Sequence, residues 1–185
     1  MGLTIRYCGE LLSFDQIDEL VSDVADICLT IGWRMMPIHP SNIMPGKGVV
    51  ITPEGCESIL LTFLPNGMLY DIWHFIYTSD PENETINEYH GQWIFTKTGR
   101  GGLDTHLAII KMFRYLSQRY FKSFDLKDES SYWETNDVSE CAAHFGVSVE
   151  EAYRDLQSTD DDEIDSAAVM MEVLILRRGI GVSWN

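Results

Sequence analysis

Apolar residues recur every three or four positions from residue 14 to residue 31, which is the spacing of one face of an α-helix. The apolar positions are Phe14, Ile17, Leu20, Val21, Val24, Ile27, Cys28 and Ile31. Five carboxylates fill positions between them, namely Asp15, Asp18, Glu19, Asp23 and Asp26. Ser13 and Gln16 have the spacing of a capping box. The pattern therefore predicts a helix with one core face and one solvated, acidic face.

Strand-like segments lie on both sides of this helix. Residues 3–7 alternate between apolar and polar side chains, which predicts a first strand. Four further strands, arranged as an antiparallel meander, are predicted by the apolar runs at 49–52, 58–64, 68–75 and 92–97. Asn66 and Gly67 separate two of these runs. This dipeptide predicts a type I′ turn, because both of its residues tolerate a positive φ.

A second long helix is predicted from residue 104 to residue 121, and a short strand at 124–128 follows it. The core stripe of that helix is Leu107, Ile110, Phe113, Leu116 and Tyr120. Beyond residue 135 the pattern changes to short helices. Their capping-box pairs are Asp137/Glu140, Ser148/Glu151 and Asp160/Glu163, before a last apolar helix at 164–176.

Hairpins followed by a long helix favour an α+β fold over a parallel sheet. We expect an antiparallel β-meander packed against two long helices, with a helical C-terminal segment. The expected division is an α+β body at 1–135 and a helical segment at 136–185 that packs on the body rather than folding independently.

Charge limits the classes of partner. The 185-residue chain has 13 Lys and Arg against 29 Asp and Glu, a formal net charge of −16. This charge counts against nonspecific binding to nucleic acid or to an anionic membrane surface. Residues 97–124 differ, since they carry six basic residues and one acidic residue between two acidic blocks. Acidic elements that fold over this stretch would neutralise it; the alternative is an anion site or a basic surface for a partner.

The cysteines and the start of the chain predict a cytoplasmic protein. Cys8, Cys28, Cys56 and Cys141 are scattered without a CxxC pair, as expected of reduced and mostly buried thiols. No apolar stretch is long enough to span a bilayer, and no secretory h-region follows Met1. The five histidines lack metal-ligand spacing, so we expect neither a metal nor a cofactor.

A glycine-rich loop before the second long helix is the first candidate site. Free backbone N–H groups at such a turn, together with the helix dipole, favour an anion. The loop lacks the spacing of a Walker A motif and of a dinucleotide-binding fingerprint. The candidate ligands for an anion or phosphate are Lys97, Thr98, Gly99, Arg100, Gly101, Gly102 and His106. The alternative is a tight strand-to-helix connection in which the glycines only permit the backbone path.

A loop rich in acidic and aromatic residues is the second candidate site. It contains Asp128, Glu129, Tyr132, Trp133 and Glu134. Carboxylates that converge beside aromatic rings favour cation binding or acid–base chemistry. Adjacent residues point in different directions, so the spacing alone does not show convergence. The alternative is a surface loop that Tyr132 and Trp133 anchor to the core.

The segment 137–156 resembles the helix-turn-helix pattern of bacterial regulators. The matching positions are Ala142, Gly146, Val147, Ser148 and Leu156. The second helix of this segment would present three carboxylates and the single cation Arg154 to the DNA phosphates. That charge disfavours DNA binding. Two capped helices that pack on the body are the alternative.

Several segments together resemble one group of proteins. They are 93–98 (WIFTKT), the helix that begins near Thr105-His106, Asp128-Glu129 followed by 132–135 (YWET), and 51–53 (ITP) with 55–57 (GCE) and the strand after it. They are similar to small bacterial proteins that have no assigned function, over residues 48–136. The resemblance implies an α+β body in a bacterial protein, and it transfers no catalytic residue.

These patterns predict a cytoplasmic bacterial protein without enzymatic activity that works as an interaction or accessory protein. Its acidic blocks, 1–96 and 125–165, suit a protein partner with a basic surface. In composition they resemble immunity proteins that block basic nuclease toxins. One alternative is a small-molecule- or phosphate-binding protein, or an enzyme, that uses the loop 97–106. A second alternative is a helix-turn-helix regulator that uses residues 137–156.

Overall fold

A computed structural model describes residues 3–41, 46–73 and 93–148 of the chain. These residues form six strands and four helices. The strands are β1 (Thr4–Leu11), β2 (Arg34–Ile38), β3 (Lys47–Thr52), β4 (Ile59–Phe63), β5 (Ile94–Lys97) and β6 (Phe121–Asp128). The helices are α1 (Ile17–Ile31), α2 (Gly102–Tyr120), α3 (Tyr132–Thr135) and α4 (Val138–Phe145). This architecture confirms the predicted α+β class.

The strands form two antiparallel sheets of three strands each. In the first sheet β1 lies between β5 and β6, so that Arg6 has Phe95 on one side and Lys127 on the other. In the second sheet β3 lies between β2 and β4. Every residue of β4 is buried. The strand nearest the start of the sequence is therefore the centre of one sheet, and its neighbours lie far away along the chain.

The predicted meander forms only in part. β3 and β4 are adjacent, but β5 pairs with β1 and not with the segment 68–75. The described part of that segment contributes only isolated bridges, at Met68 and Leu69. The carboxylate of Asp71 accepts a hydrogen bond from the N–H of Trp73 at 2.8 Å. This local bond turns the chain and ends its extended course, because it offers the backbone an alternative to a strand ladder.

The turn at Asn66 and Gly67 also differs from the prediction. Gly67 has a φ of +85°, and Asn66 does not have a positive φ. The N–H of Gly67 donates to the carbonyl of Leu64 at 2.8 Å, and the N–H of Leu64 donates to the carbonyl of Met68 at 2.9 Å. The connection is thus a three-residue loop, and the predicted type I′ turn is wrong. Pro65 explains the change, because its fixed φ suits the first central position of an ordinary turn.

The helix α1 presents its apolar side chains, except Leu29, to the core and most of its acidic ones to solvent. Ser13 Oγ accepts a hydrogen bond from the N–H of Asp15 at 3.3 Å, so it caps a single 3-10 turn that precedes α1. Gly32 ends the helix with a φ of +71°. One member of the predicted solvated face is misplaced, since Asp23 is completely buried.

The two sheets meet at Tyr7. Its ring packs against the ring of Phe113 from α2, with the centroids 4.6 Å apart. Its hydroxyl accepts a hydrogen bond from the N–H of Leu60 at 2.9 Å and donates to the carbonyl of Leu60 at 3.2 Å. Burial raises the pKa of the Tyr7 hydroxyl, which keeps this donor protonated. The Tyr7 hydroxyl therefore forms the hydrogen bonds with the Leu60 backbone that a neighbouring strand would otherwise form at this edge of β4.

The last described helix, α4, packs on α2. Asp137 caps it by accepting hydrogen bonds from two N–H groups of its first turn, at 2.8 and 3.2 Å. Gly146 ends it with a φ of +70°. Cys141 and Ala142 of α4 are completely buried.

The remaining predictions for the C-terminal segment lie outside the described residues. They concern the caps at 148/151 and 160/163, the helix at 164–176 and the second helix of the helix-turn-helix pattern. The division at residue 135 stays a prediction.

Candidate functional site

The residues of the glycine-rich loop divide between the surface and the core. Lys97 is exposed at the end of β5, and its Nζ lies 3.3 Å from Oε1 of Glu57. Arg100 is exposed as well. Gly101 approaches Cys56 so closely that a Cβ on the glycine would lie 2.4 Å from the cysteine Sγ. This contact between two loops requires a glycine. The anion site that the loop predicts is not tested by these contacts and stays a prediction.

Two residues of the loop region join a buried polar cluster with residues from the second candidate loop and from α4. The members of this His106 cluster are Thr98, His106, Asp128, Ser130 and Cys141. The side chains of Thr98, His106, Ser130 and Cys141 are completely buried, and Asp128 as a whole is 8% exposed. The structure therefore unites part of the first candidate site with part of the second.

The imidazole of His106 is the centre of the cluster. Its Nδ1 lies 2.7 Å from Thr98 Oγ1, and its Nε2 lies 2.9 Å from Ser130 Oγ and 3.2 Å from Asp128 Oδ1. The hydroxyl of Ser130 donates to Asp128 Oδ2 at 2.7 Å, and the N–H of Ser130 donates to Asp128 Oδ1 at 2.9 Å. The thiol of Cys141 donates to Ser130 Oγ at 3.4 Å. Each polar side chain of the cluster thus has a partner inside it.

These contacts define where the protons lie. Because the Ser130 hydroxyl donates to Asp128, its oxygen is the acceptor for the N–H at Nε2 of His106. Burial alone would raise the pKa of Asp128, but hydrogen bonds from His106 and Ser130 outweigh burial and lower this pKa from 3.8 to about 2. Asp128 is therefore a carboxylate at neutral pH, with its charge held by hydrogen bonds.

The cluster draws its members from several elements. Thr98 follows β5, whereas His106 lies near the start of α2 and Cys141 belongs to α4. Asp128 ends β6, two residues after the buried Leu126, so both side chains point to the same face of the sheet. A satisfied polar network of this kind holds the elements that contribute to it in one arrangement.

In its connectivity the cluster matches a hydroxyl–imidazole–carboxylate triad. Thr98 meets one ring nitrogen of His106, and Asp128 meets the other. A nucleophile must reach its substrate, however, and the side chain of Thr98 is completely buried. The geometry therefore favours a structural role for these groups over a catalytic one.

The other acidic residues of the second candidate loop lie at the surface. Glu129 accepts a hydrogen bond from the N–H of Thr4 at 3.0 Å, and its Oε1 lies 3.6 Å from Nη2 of Arg6. Glu134 is exposed. Asp128 thus belongs to the core, while Glu129 and Glu134 face solvent.

Tyr132 and Trp133 anchor this loop to α2 through Arg114. The Arg114 guanidinium donates to the carbonyl of Tyr132 at 2.6 Å and to that of Trp133 at 3.1 Å. Its central carbon also lies 5.0 Å from the centroid of the Tyr132 ring. Tyr132 is buried, and Trp133 packs against Phe124 with the ring centroids 6.0 Å apart. These are the contacts that the surface-loop alternative expects.

Sequence reasoning misses a second buried carboxylate, Asp23 of α1. Its Oδ2 accepts hydrogen bonds from the hydroxyls of Tyr115 and Tyr120, each at 2.6 Å, and lies 3.5 Å from Nε of Arg119. Burial and the hydrogen bond to Asp23 raise the pKa of the Tyr120 hydroxyl. Two hydroxyl donors of α2 and the positive charge of Arg119 therefore hold one carboxylate of α1 between the two helices. The signal that identifies Asp23 is its position within the apolar stripe of α1.

Within residues 3–41, 46–73 and 93–148, no group of three or more His, Cys, Asp or Glu side chains is arranged to hold a metal ion. None of the helices in that part of the chain is long and apolar enough to cross a membrane. Comparisons with models of protein families, with curated proteins and with solved structures find no match to the chain. The resemblance to a group of small bacterial proteins therefore stays a prediction.

Proposed function

We propose that this protein is a non-enzymatic interaction protein, and that the acidic face of α1 binds a partner with a basic surface. The composition of this face is the observation that supports the proposal. Its exposed residues, counted from the turn before α1, are Asp15, Asp18, Glu19, Ser22, Asp26, Leu29 and Thr30. A basic partner would meet four carboxylates on this face.

The acidic face combines charge with an apolar anchor. Leu29 is 83% exposed, more than any other large hydrophobic side chain of the described residues. Asp18 is paired with Lys47, Nζ to Oδ2 2.6 Å, and Glu19 is paired with Arg119. Asp15 and Asp26 lie towards opposite ends of the face. Carboxylates on a surface steer a basic partner and select it, and an apolar side chain beside them contributes affinity.

The alternatives receive less support from the contacts. An anion at the loop 97–106 would have to draw Lys97 away from Glu57, and His106 is committed to the buried cluster. For a helix-turn-helix regulator, the second helix would offer the DNA phosphates three carboxylates and the single cation Arg154. A catalytic function would need an accessible nucleophile near His106, and Thr98 is buried.

A bacterial cytoplasm is the compartment that we propose for this interaction. All four cysteines are free thiols. Free thiols are typical of proteins in a reducing compartment.

Charge reversal on α1 tests the proposal. The test variant carries Asp15→Lys and Asp26→Lys, and the matched control carries Glu54→Lys and Glu134→Lys, which change the net charge equally at exposed positions elsewhere. Each tagged full-length chain is used for capture from bacterial lysate, with quantitative mass spectrometry at low and at raised ionic strength. We expect a basic protein that the wild type and the control retain, that the α1 variant loses, and that salt releases. Equal capture by all three chains, or capture of no basic protein, would contradict the proposal.

A further inference from the structure

The outer face of the first sheet is exposed in the part of the chain that the structure describes. Alternate side chains of β1 point away from the core, and these include Arg6 and Cys8. On the neighbouring strand Phe95 is 54% exposed, and Trp93, just before that strand, is 43% exposed. Lys127 of β6 is exposed on the same face. We call these five residues the aromatic face.

The strand register brings rings and cations together on the aromatic face. Phe95, Arg6 and Lys127 form one row across the three strands. The ammonium of Lys127 lies 4.9 Å from the centroid of the Trp93 ring. Arg6 and Lys127 are directly opposite each other, and like charges in this position destabilise a sheet unless an anion compensates them. Glu129 compensates only in part, because its closest oxygen is 3.6 Å from Arg6, beyond hydrogen-bond distance.

The aromatic face therefore offers aromatic rings and positive charges side by side. Phe95 lies at one end of the row of Phe95, Arg6 and Lys127, and the Trp93 ring lies against Lys127 at the other end, so the two cations have an aromatic ring on either side. We propose that the aromatic face binds an extended segment of a partner protein that places a carboxylate between two apolar side chains. The carboxylate lies over Arg6 and Lys127, and the apolar side chains pack on the rings. This inference goes beyond the proposed function, because it concerns the first sheet and not α1.

Charge around the aromatic face favours a peptide carboxylate over a nucleic acid. Asp125 and Glu129 are exposed two residues before and two residues after Lys127. A single carboxylate fits over the cationic row between them, whereas a chain of phosphates would pass close to both. The net charge of −16 also repels a polyanion at long range.

Fluorescence anisotropy with three labelled probes tests the proposal on the full-length chain. The first probe is a peptide in which Phe, Asp and Phe are separated by single serines, so that all three share one face when extended. The second has Lys in place of Asp, and the third is oligothymidylate. We expect the first probe to bind at least about tenfold more tightly than the second. We expect Arg6→Ala and Phe95→Ala each to weaken the first probe at least about tenfold, and Leu29→Ala to leave it unchanged.

Alkylation of cysteines tests whether the peptide binds at the aromatic face. Cys8 lies within the aromatic face, whereas Cys56 lies against the glycine-rich loop. The bound peptide should slow alkylation of Cys8 and leave that of Cys56 unchanged, as mass spectrometry would show.

Several results would overturn the proposal. They are failure of the first probe to bind, equal binding of the first two probes, and unchanged affinity in both face variants. Tighter binding of oligothymidylate would make the aromatic face a nucleic-acid surface instead. A wild-type dimer in sedimentation velocity that Phe95→Ala converts to a monomer would identify a second copy of the chain as the occupant.

Discussion

Replacing Asp128 with Asn tests whether the His106 cluster stabilises the fold through a buried carboxylate. The substitution keeps the size of the side chain, but it removes the charge that accepts hydrogen bonds from His106 and Ser130. The pKa of Asp128 is lowered from 3.8 to about 2, and each pKa unit corresponds to about 1.4 kcal/mol. A pKa that is lower in the folded chain than in the unfolded chain stabilises the folded state above the unfolded pKa. We expect Asp128→Asn to lower the free energy of unfolding by about 2 kcal/mol at pH 7.

The dependence of this loss on pH follows from the same pKa. The stability contributed by the Asp128 carboxylate is complete above about pH 5, and it disappears as the pH falls through 3.8 towards 2. About half of it remains near pH 3. The difference between the wild type and Asp128→Asn should therefore shrink from about 2 kcal/mol at pH 7 to about 1 kcal/mol at pH 3.

Urea denaturation followed by circular dichroism, repeated from pH 7 to pH 3, measures this difference. Asp125→Asn is the matched control, because Asp125 is an exposed carboxylate on the same strand. We expect the control to change the free energy of unfolding by less than about 0.5 kcal/mol at each pH. A loss for Asp128→Asn that stays constant from pH 7 to pH 3 would refute the reasoning, since it would come from altered packing and not from the charge.

Three further predictions concern buried hydroxyls and thiols. Tyr7→Phe leaves the N–H and the carbonyl of Leu60 without their partner, so we expect a loss of about 2 kcal/mol and faster hydrogen exchange at Leu60; unchanged exchange would contradict this. Tyr115→Phe removes one donor to the buried carboxylate of α1 and should cost about 2 kcal/mol in urea denaturation, whereas a cost under about 0.5 kcal/mol would speak against the bond. Burial raises the pKa of Cys28 and of Cys141 to about 11, so iodoacetamide at pH 8 should modify them only when the chain unfolds; rapid labelling of either in the folded protein, seen by mass spectrometry, would disprove this.

The position of a residue in the apolar pattern of its helix or strand predicts its burial better than its residue type does. Asp23 lies three residues after Leu20 and four before Ile27, so it belongs to the apolar stripe of α1. Residue type suggests a solvated carboxylate there, and that prediction is wrong because α2 supplies two hydroxyl donors and the positive charge of Arg119 to it. The donors come from a distant part of the chain, which the pattern of α1 alone does not reveal.

The same reasoning applies to the His106 cluster. His106 lies three residues after Leu103 and four before Ile110, within the apolar stripe of α2. Asp128 is in phase with Leu126 on β6. The burial of both residues can thus be predicted from the sequence. Their contact cannot, because it depends on how α2 packs against the end of β6, and short-range patterns contain no information about that packing.

Strand pairing shows a further limit of local patterns. Alternation identifies β1 and β5 as strands, but it does not indicate which strands pair. Pairing of neighbours in sequence is only the commonest arrangement. In this chain the residues between β4 and β5 do not form a regular strand in their described part, and β1 occupies the place next to β5.

The position of β1 in the centre of the first sheet has a consequence for biosynthesis. Ile5 pairs with Asp128, and so the sheet is complete only after that residue has been made. At about 5–20 residues per second, roughly 6–25 s separate the synthesis of β1 from that of β6. The three strands of the second sheet all lie within residues 34–63, so they can pair much earlier. The nascent chain therefore carries Ile5 and Tyr7 for seconds without their final neighbours, and chaperones can bind them during that interval.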